Sequence, residues 1–420
     1  MRKLKPLVWL GVIVLVVSMF AIVACTAPTP ANNGGTTTAT KEAKDYTPTS
    51  IPTPDEFGVV LADQWKDQYP DQYNSYQKNL SNSEKPSYLL EYPFLTTLYN
   101  GTGFGKDYNE ARGHLYTLTD VNATQRPHAT ANCLTCKTPQ LTTMVNTEGP
   151  TVYAKTFDEV YAQVNEPISC YNCHENTGNT LVVSAGFLND ALGADKSQVK
   201  DGFLVCGQCH NEYYFDATTK ATTLPWKGLS NMNPDAMLKY YNDLGFSDFT
   251  NGVSGASMIK VQHPEFETIL GEGGLIPTMS DGSFTCETCH MGTATNSDGD
   301  EYTSHFWQSP MDNQDLIDNT CNPCHGDIQS KVADIQKDTR DRLNTIGGKL
   351  ADLHTKIGDA AANGTKSADE IAQLRSTIRD AQFYYDFCFV ENSDGAHNTA
   401  LTKYVLDKSE SLTDQALATF

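Results

Sequence analysis

The sequence predicts a mainly α-helical protein with little β structure, its core built around covalently attached cofactors. Three observations carry this. Ten of the twelve cysteines fall in five C-x-x-C pairs, starting at 133, 170, 206, 286 and 321. After the last pair, apolar residues recur at steps of three and four through two long stretches, the mark of helices with one buried face. Sustained period-two alternation, the mark of half-buried strands, is scarce.

Four pairs are followed directly by histidine: "CYNCH" at 170–174, "CGQCH" at 206–210, "CETCH" at 286–290 and "CNPCH" at 321–325. This is the attachment motif of haem c. The thiols of Cys170, Cys173, Cys206, Cys209, Cys286, Cys289, Cys321 and Cys324 would add across the haem vinyls. His174, His210, His290 and His325 would each bind an iron from one side. Zinc also uses C-x-x-C pairs, but it does not need a histidine at the next position every time. Four repeats of the full motif therefore read as a multihaem cytochrome c.

The remaining pair, the first in the chain, is "CLTCK", with Lys137 after Cys133 and Cys136. A haem that only carries electrons fills both axial positions, whereas a catalytic haem must leave one open. Lys137 would supply a neutral amine, its proton displaced by the metal, since lysine pKa values shift readily in buried sites. The bland reading is a solvated lysine beside a haem with a remote ligand. With five haem c expected, one of them has different chemistry.

Of the two remaining cysteines, Cys388 lies on an apolar face with Leu374, Ile378, Ala381 and Tyr385, and is expected to be a small buried hydrophobe. Cys25 ends the run "PLVWLGVIVLVVSMFAIVA" that follows the basic head "MRKLK". Residues 1–25 thus read as a lipoprotein-type export signal, with lipid on Cys25, or as a membrane anchor. Either places the protein outside the cytoplasm, tethered to a membrane. Residues 26–56, rich in Thr, Pro, Asn and Gly, read as a flexible tether. Residues 57–326 hold the pentahaem catalytic region. Residues 327–420 form a helical region packed on it, with one stripe from Ile328 through Val332, Ile335, Thr339, Leu343, Ile346, Leu350 and Leu353 to Ile357. A second helix opens at Ser367 with Glu370 three residues on, a capping box.

The formal charge of −21, from 30 basic and 51 acidic side chains, argues against nucleic acid as a partner. An anionic substrate would be repelled by the global field and needs a locally positive site.

Beyond these motifs, "ARGHLYTLTDV" (111–121), "CGQCHNEYYF" (206–215), "IKVQHPEFE" (259–267) and "YTSHFWQSPMDN" (302–313) follow in order with the five pairs. In these segments, from Tyr92 to His397, the chain resembles the ammonia-forming cytochrome c nitrite reductases, pentahaem enzymes whose catalytic haem is attached at C-x-x-C-K. The resemblance implies that Arg126, Tyr213 and His263 stand over the open face of the lysine-ligated haem. There a guanidinium and a protonated imidazole would hold an anion and supply protons. It implies a calcium ion held by Glu212 and Gln262 side chains and by the backbone carbonyls of Tyr213 and Lys260, an oxygen set that suits a hard cation. It also implies His305, His114 and His397 as distal ligands of the second, third and fourth haems.

Two departures from the family stand out. Met279 occupies the position of the fifth haem's distal histidine, so His/Met ligation is expected there, with an open fifth haem or a shifted His128 or His354 as alternatives. Only 23 residues follow His397, which bears on the homodimer the family forms through C-terminal helices.

The expected function is respiratory six-electron reduction of nitrite to ammonium, with electrons from a membrane-bound quinol-oxidising multihaem cytochrome. A non-catalytic electron conduit would have every haem six-coordinate and leaves Arg126, Lys137, Tyr213 and His263 unexplained together. A multihaem reductase of another oxyanion, such as sulfite, is the third reading.

Overall fold

The computed structural model describes residues 46–272, 274 and 284–420. The export segment with Cys25, residues 26–45 of the tether, and Met279 lie outside the described residues. Helices dominate, as the sequence predicts. The strands form three two-stranded antiparallel hairpins, pairing Tyr214–Phe215 with Thr222–Thr223, Phe249–Thr250 with Ser257–Met258, and Thr293–Thr295 with Glu301–Thr303. Among the described residues, no helix is long and apolar enough to cross a membrane.

Through the cysteine pairs the helices are short, because each attachment motif supplies one turn and the chain then leaves. Cys170–His174 and Cys286–His290 are such turns. Each begins with a backbone N–H that its own first turn satisfies: Ser169 N–H donates to Asn172 Oδ1 at 3.0 Å, and Thr285 N–H to Thr288 Oγ1 at 3.2 Å.

After Cys324 the chain forms three long helices, Ile328–Asn363, Ala368–Phe389 and Thr399–Leu417. The second carries the expected capping box, with Ser367 N–H donating to Glu370 Oε2 at 2.8 Å and Glu370 N–H to Ser367 Oγ at 3.3 Å. The third, which the apolar pattern does not announce, is capped by Asn398, whose Oδ1 accepts from Leu401 N–H at 2.9 Å. Leu343, Ile346, Leu350, Leu353 and Ile357 of the first helix are buried, with Leu374 and Ile378 of the second and Val405 and Leu406 of the third. Each such side chain contributes about 1.5–3 kcal/mol. The same cluster takes in Leu95, Tyr99, Trp226, Tyr241 and Phe266 from the earlier chain, so the helices pack on the region that carries the site. The stripe is weaker at its start: Ile328, Val332 and Ile335 are only half-buried. A second, smaller core gathers Leu134, Leu141, Met144, Val152, Phe157 and Val160 around the first cysteine pair.

Two particulars qualify the reading of the sequence. The ordered body reaches back beyond Phe57, into the stretch expected to be tether. Gln68 accepts from Thr49 N–H at 3.0 Å and donates to the Ser50 carbonyl at 2.7 Å, and Tyr69 donates to the Tyr46 carbonyl at 2.7 Å. His354 is fully buried with both ring nitrogens engaged, Nδ1 with Ser254 Oγ and Nε2 with Gln382 Oε1, each at 2.8 Å. It is a satisfied core histidine. Cys388 is buried, as its helix face implies.

Candidate functional site

Lys137 sits at the end of a tight turn. Its N–H donates to the Leu134 carbonyl at 3.0 Å, and its own carbonyl accepts from Thr117 Oγ1 at 2.9 Å. Thr138 then caps the helix Pro139–Glu148, accepting from Gln140 N–H. The turn is tied to the first hairpin: Asn132 Nδ2 donates to the Lys220 carbonyl at 3.0 Å, and the Thr135 and Thr222 hydroxyls lie 2.9 Å apart. Tyr213 directly precedes that hairpin, so these bonds fix the tyrosine relative to Cys133 and Cys136. Burial pushes the Tyr213 phenol far above its usual range, the two nearby thiols add to the rise, and Arg126 opposes it.

Arg126 is held from two sides. Its Nε donates to Thr124 Oγ1 at 3.1 Å, and Thr124 Oγ1 donates in turn to Asp107 Oδ2 at 2.7 Å. Its guanidinium lies 4.5 Å from the centre of the Phe104 ring. Gly103 makes room, since a Cβ there would come within 3.0 Å of the Arg126 Cβ and Cγ atoms.

His263 lies between the second hairpin and the helix Glu265–Leu270. Its Nδ1 is buried with no hydrogen-bond partner among the described residues. Burial, with the positive fields of His210, Lys137 and Lys260, lowers its pKa to about 4 against the pull of Glu265. Burial thus favours the neutral imidazole, whereas the sequence predicts a protonated one. Low dielectric outweighs one nearby carboxylate. Phe266 packs on Gly207 of "CGQCH", where a Cβ would meet its ring at 2.2 Å, so that glycine sets how closely this helix approaches the third cysteine pair.

The four residues expected at calcium lie together. Glu212 is fully buried, accepting from Tyr241 Oη at 2.8 Å and from Gln262 N–H at 2.6 Å. The Gln262 side chain meets the Lys260 carbonyl at 2.9 Å, and Glu267 Oε1 accepts the Glu212 N–H at 3.0 Å. Burial pushes the Glu212 carboxyl well above its normal range, and the charges of Glu267 and Asp248 add to this. The Lys260 ammonium turns away to donate to the Val261 carbonyl at 2.6 Å, 4.9–5.3 Å from the ring centres of Phe104, Tyr99 and Tyr108.

Elsewhere the histidines meet in pairs. Ring centroids are 6.2 Å apart for His174 and His305, 6.1 Å for His114 and His210, and 6.0 Å for His290 and His397. The cysteine pairs adjoin, the first meeting the third: Cys136 contacts Cys209, Cys206 contacts Cys286, and Cys289 feels the charge of Cys321. Cys173 lies near Cys206. His325 is exposed.

The structure thus brings Arg126, Lys137 and Tyr213 near Cys133 and Cys136, sets His263 6.3 Å by ring centroid from His210 and in the field of Lys137, and forms imidazole pairs at the next three motifs. The sequence reading missed Phe104, Thr124 and Asp107, which hold Arg126, and Glu391, which lies 2.6 Å from His397. The tract "GTGFGKDYNEARGH" carries no chemical signature for Phe104 and Asp107, and Thr124 lies beyond it in "NATQRPH". Glu391 lies only six residues before His397, but that spacing alone names no role.

A helical chain with serial C-x-x-C sites and facing histidines defines a multihaem c-type cytochrome. Residues 62–420 match the cytochrome c552 family, and the chain belongs to it. Among solved structures it is similar to the catalytic subunit (NrfA) of the cytochrome c nitrite reductase of Desulfovibrio desulfuricans ATCC 27774, a protein described with two calcium sites. The two share 28% identity over 87% of each chain, with a TM-score of 0.76. An undecahaem S-layer cytochrome of Carboxydothermus ferrireducens shares 19% identity over 73% of this chain and 41% of its own, with a TM-score of 0.38.

Proposed function

We propose that this chain reduces nitrite to ammonium at the haem attached through Cys133 and Cys136, with Lys137 as that haem's proximal ligand. The observation that carries the reading is that Arg126 and Tyr213 lie by the one cysteine pair that ends in lysine, with His263 in the field of that lysine.

The donor groups fit haem c. Two metal–imidazole bonds of about 2 Å each, with half a ring on either side, put facing ring centroids roughly 6 Å apart. The three histidine pairs have that spacing. His174 with His305, His210 with His114, and His290 with His397 would hold the second, third and fourth haems. Cys321, Cys324 and His325 would hold the fifth, with Met279 as its proposed distal ligand. When bound, the haem on Cys133 and Cys136 supplies electrons and an open coordination position.

Around that position the protein's own groups divide the work. The Arg126 guanidinium provides the local positive charge that an anion needs in a chain of charge −21. Tyr213 keeps its phenolic proton, so it donates at Oη. His263, its pKa lowered by burial, offers a buried nitrogen with no partner among the described residues, able to take or pass a proton as oxygen leaves as water. The conversion consumes six electrons and eight protons and gives ammonium and two waters.

Calcium fits the oxygens around Glu212. A buried carboxylate two backbone carbonyls and an amide away from water suits a hard cation, which would neutralise Glu212 and add positive field. Export, lipid on Cys25, a quinol-oxidising cytochrome as donor and a homodimer complete the proposal.

The test is anaerobic turnover of haem-loaded protein with reduced viologen and nitrite, with ammonium quantified. Near-stoichiometric ammonium, lost in Arg126→Ala and His263→Ala, supports the reading. Haem- and calcium-replete protein that leaves nitrite untouched refutes it and favours the conduit or another oxyanion.

A further inference from the structure

The facing histidines differ in what holds their Nδ1 atoms. His174 Nδ1 lies 3.2 Å from the Thr180 carbonyl oxygen, His305 Nδ1 3.0 Å from that of Thr303, and His290 Nδ1 3.0 Å from that of Gln308. His397 instead meets a carboxylate, its Nδ1 2.6 Å from Glu391 Oε1. Glu391 is 3% exposed, and its Oε2 accepts from the Ser393 hydroxyl at 2.5 Å. Ser393 Oγ in turn accepts the His397 backbone N–H at 2.9 Å. Histidine, carboxylate and hydroxyl therefore form a closed set that fixes the ring's orientation and tautomer, with Nδ1 donating and Nε2 left for a metal.

We infer that Glu391 tunes the haem held by Cys286 and Cys289, lowering its reduction potential through His397. The inference rests on the reading of His290 and His397 as that haem's axial ligands. A carboxylate acceptor draws the Nδ1 proton toward itself and makes Nε2 a stronger donor, which favours ferric over ferrous iron. The buried negative charge acts in the same direction, with little solvent screening. A backbone carbonyl is a neutral and weaker acceptor. The haem on Cys170 and Cys173 has only carbonyl-bonded ligands, so this effect leaves its potential higher. Glu265 Oε2 lies 3.8 Å from His210 Nδ1, beyond hydrogen-bond range, and acts there through charge alone. The couple is a one-electron change at iron in which no bond forms or breaks and the proton stays between Nδ1 and Oε1.

The consequence concerns electron flow. Cys286 adjoins Cys206 and Cys289 lies near Cys321, so the tuned haem stands between those on Cys206 and Cys209 and on Cys321 and Cys324. A lowered potential makes it pass electrons on instead of holding them. Glu391 is on this account a positioning residue.

The experiment is a potentiometric titration of the haem-loaded protein with a chemical reductant, followed by visible and EPR spectra. Glu391→Gln should move one haem transition to higher potential and leave the others in place. Ser393→Ala should move the same transition lower, because the carboxylate no longer shares its charge with a hydroxyl. Unshifted transitions in Glu391→Gln with intact low-spin signals overturn the inference. If that variant fails to load haem, an unshifted Ser393→Ala overturns it equally. His397→Ala separates the two levels: conversion of one low-spin haem to high spin supports the ligand reading, and no conversion removes that reading and the inference together.

Discussion

The guanidinium carbon of Arg126 lies 4.5 Å from the centre of the Phe104 ring, and the Lys260 ammonium is 4.9 Å from the same centre. One aromatic side chain thus serves two cations, one proposed to bind substrate and one whose backbone carbonyl is proposed to hold calcium. Burial lowers the pKa of Lys260 to about 8, and the nearby carboxylates of Asp386, Glu212 and Asp248 resist that fall. The ring is an uncharged support for both cations, while the Asp107 carboxylate beyond Thr124 is held low in part by the Arg126 charge.

Phe104→Leu should therefore loosen Arg126 without touching a haem. Loss of about 1 kcal/mol of cation–π attraction corresponds to a roughly fivefold rise in KM for nitrite, with kcat changed less. Steady-state kinetics alongside haem spectra check this. An unchanged KM would mean that Thr124 alone places the guanidinium.

Replacing Lys137 by histidine converts the motif at Cys133–Lys137 into a copy of the other four. The haem should still attach, with an altered spectrum, and turnover should fall at least about tenfold, a loss of about 1.4 kcal/mol of transition-state stabilisation. Full activity in Lys137→His would show that the identity of the proximal ligand is not what separates this haem from its neighbours.

Calcium removal tests the cluster around Glu212. Treatment with a chelator should reduce nitrite turnover while haem content stays constant, and calcium should restore it better than magnesium, which demands tighter octahedral geometry. Glu212→Gln should keep the packing with Tyr241 but bind the ion more weakly. Metal analysis that finds no calcium in fully active protein would remove the ion from the site.

His354 predicts a pH dependence of stability. Burial lowers its pKa to about 4 from the usual 6.5, only partly offset by Gln382. The folded state then binds fewer protons than the unfolded state between those values. The contribution of the neutral ring is complete above pH 6.5 and is lost as pH falls toward 4, about 3 kcal/mol in all. Denaturant midpoints at pH 7.5 and 5 should fall less in His354→Asn than in the parent. Equal losses in both would assign acid sensitivity to other groups.

Legibility in the sequence followed the range of each interaction. The cysteine pairs and their Lys or His are readable because thioether attachment and proximal ligation need residues next to one another. The helices Ile328–Asn363 and Ala368–Phe389 are readable because leucine and isoleucine recur on one face. The helix Thr399–Leu417 is not, since part of its buried face consists of Thr402, Ser409 and Thr413, which read as surface. Its hydroxyls are satisfied in part within the helix, as when Thr413 Oγ1 donates to the Ser409 carbonyl at 2.7 Å.

By itself the sequence determined which atoms can attach haem, that one site differs from the rest, and that the end of the chain is helical. Covalent chemistry and helical period are local, so they are written in adjacent residues. Tertiary structure alone decided that Phe104 supports Arg126, that burial lowers the pKa of His263, and that Glu391 faces His397. Those outcomes depend on which distant or differently folded segments exclude water together. Burial has no sequence spacing of its own, and the same low dielectric that neutralises one imidazole strengthens the hydrogen bond of another.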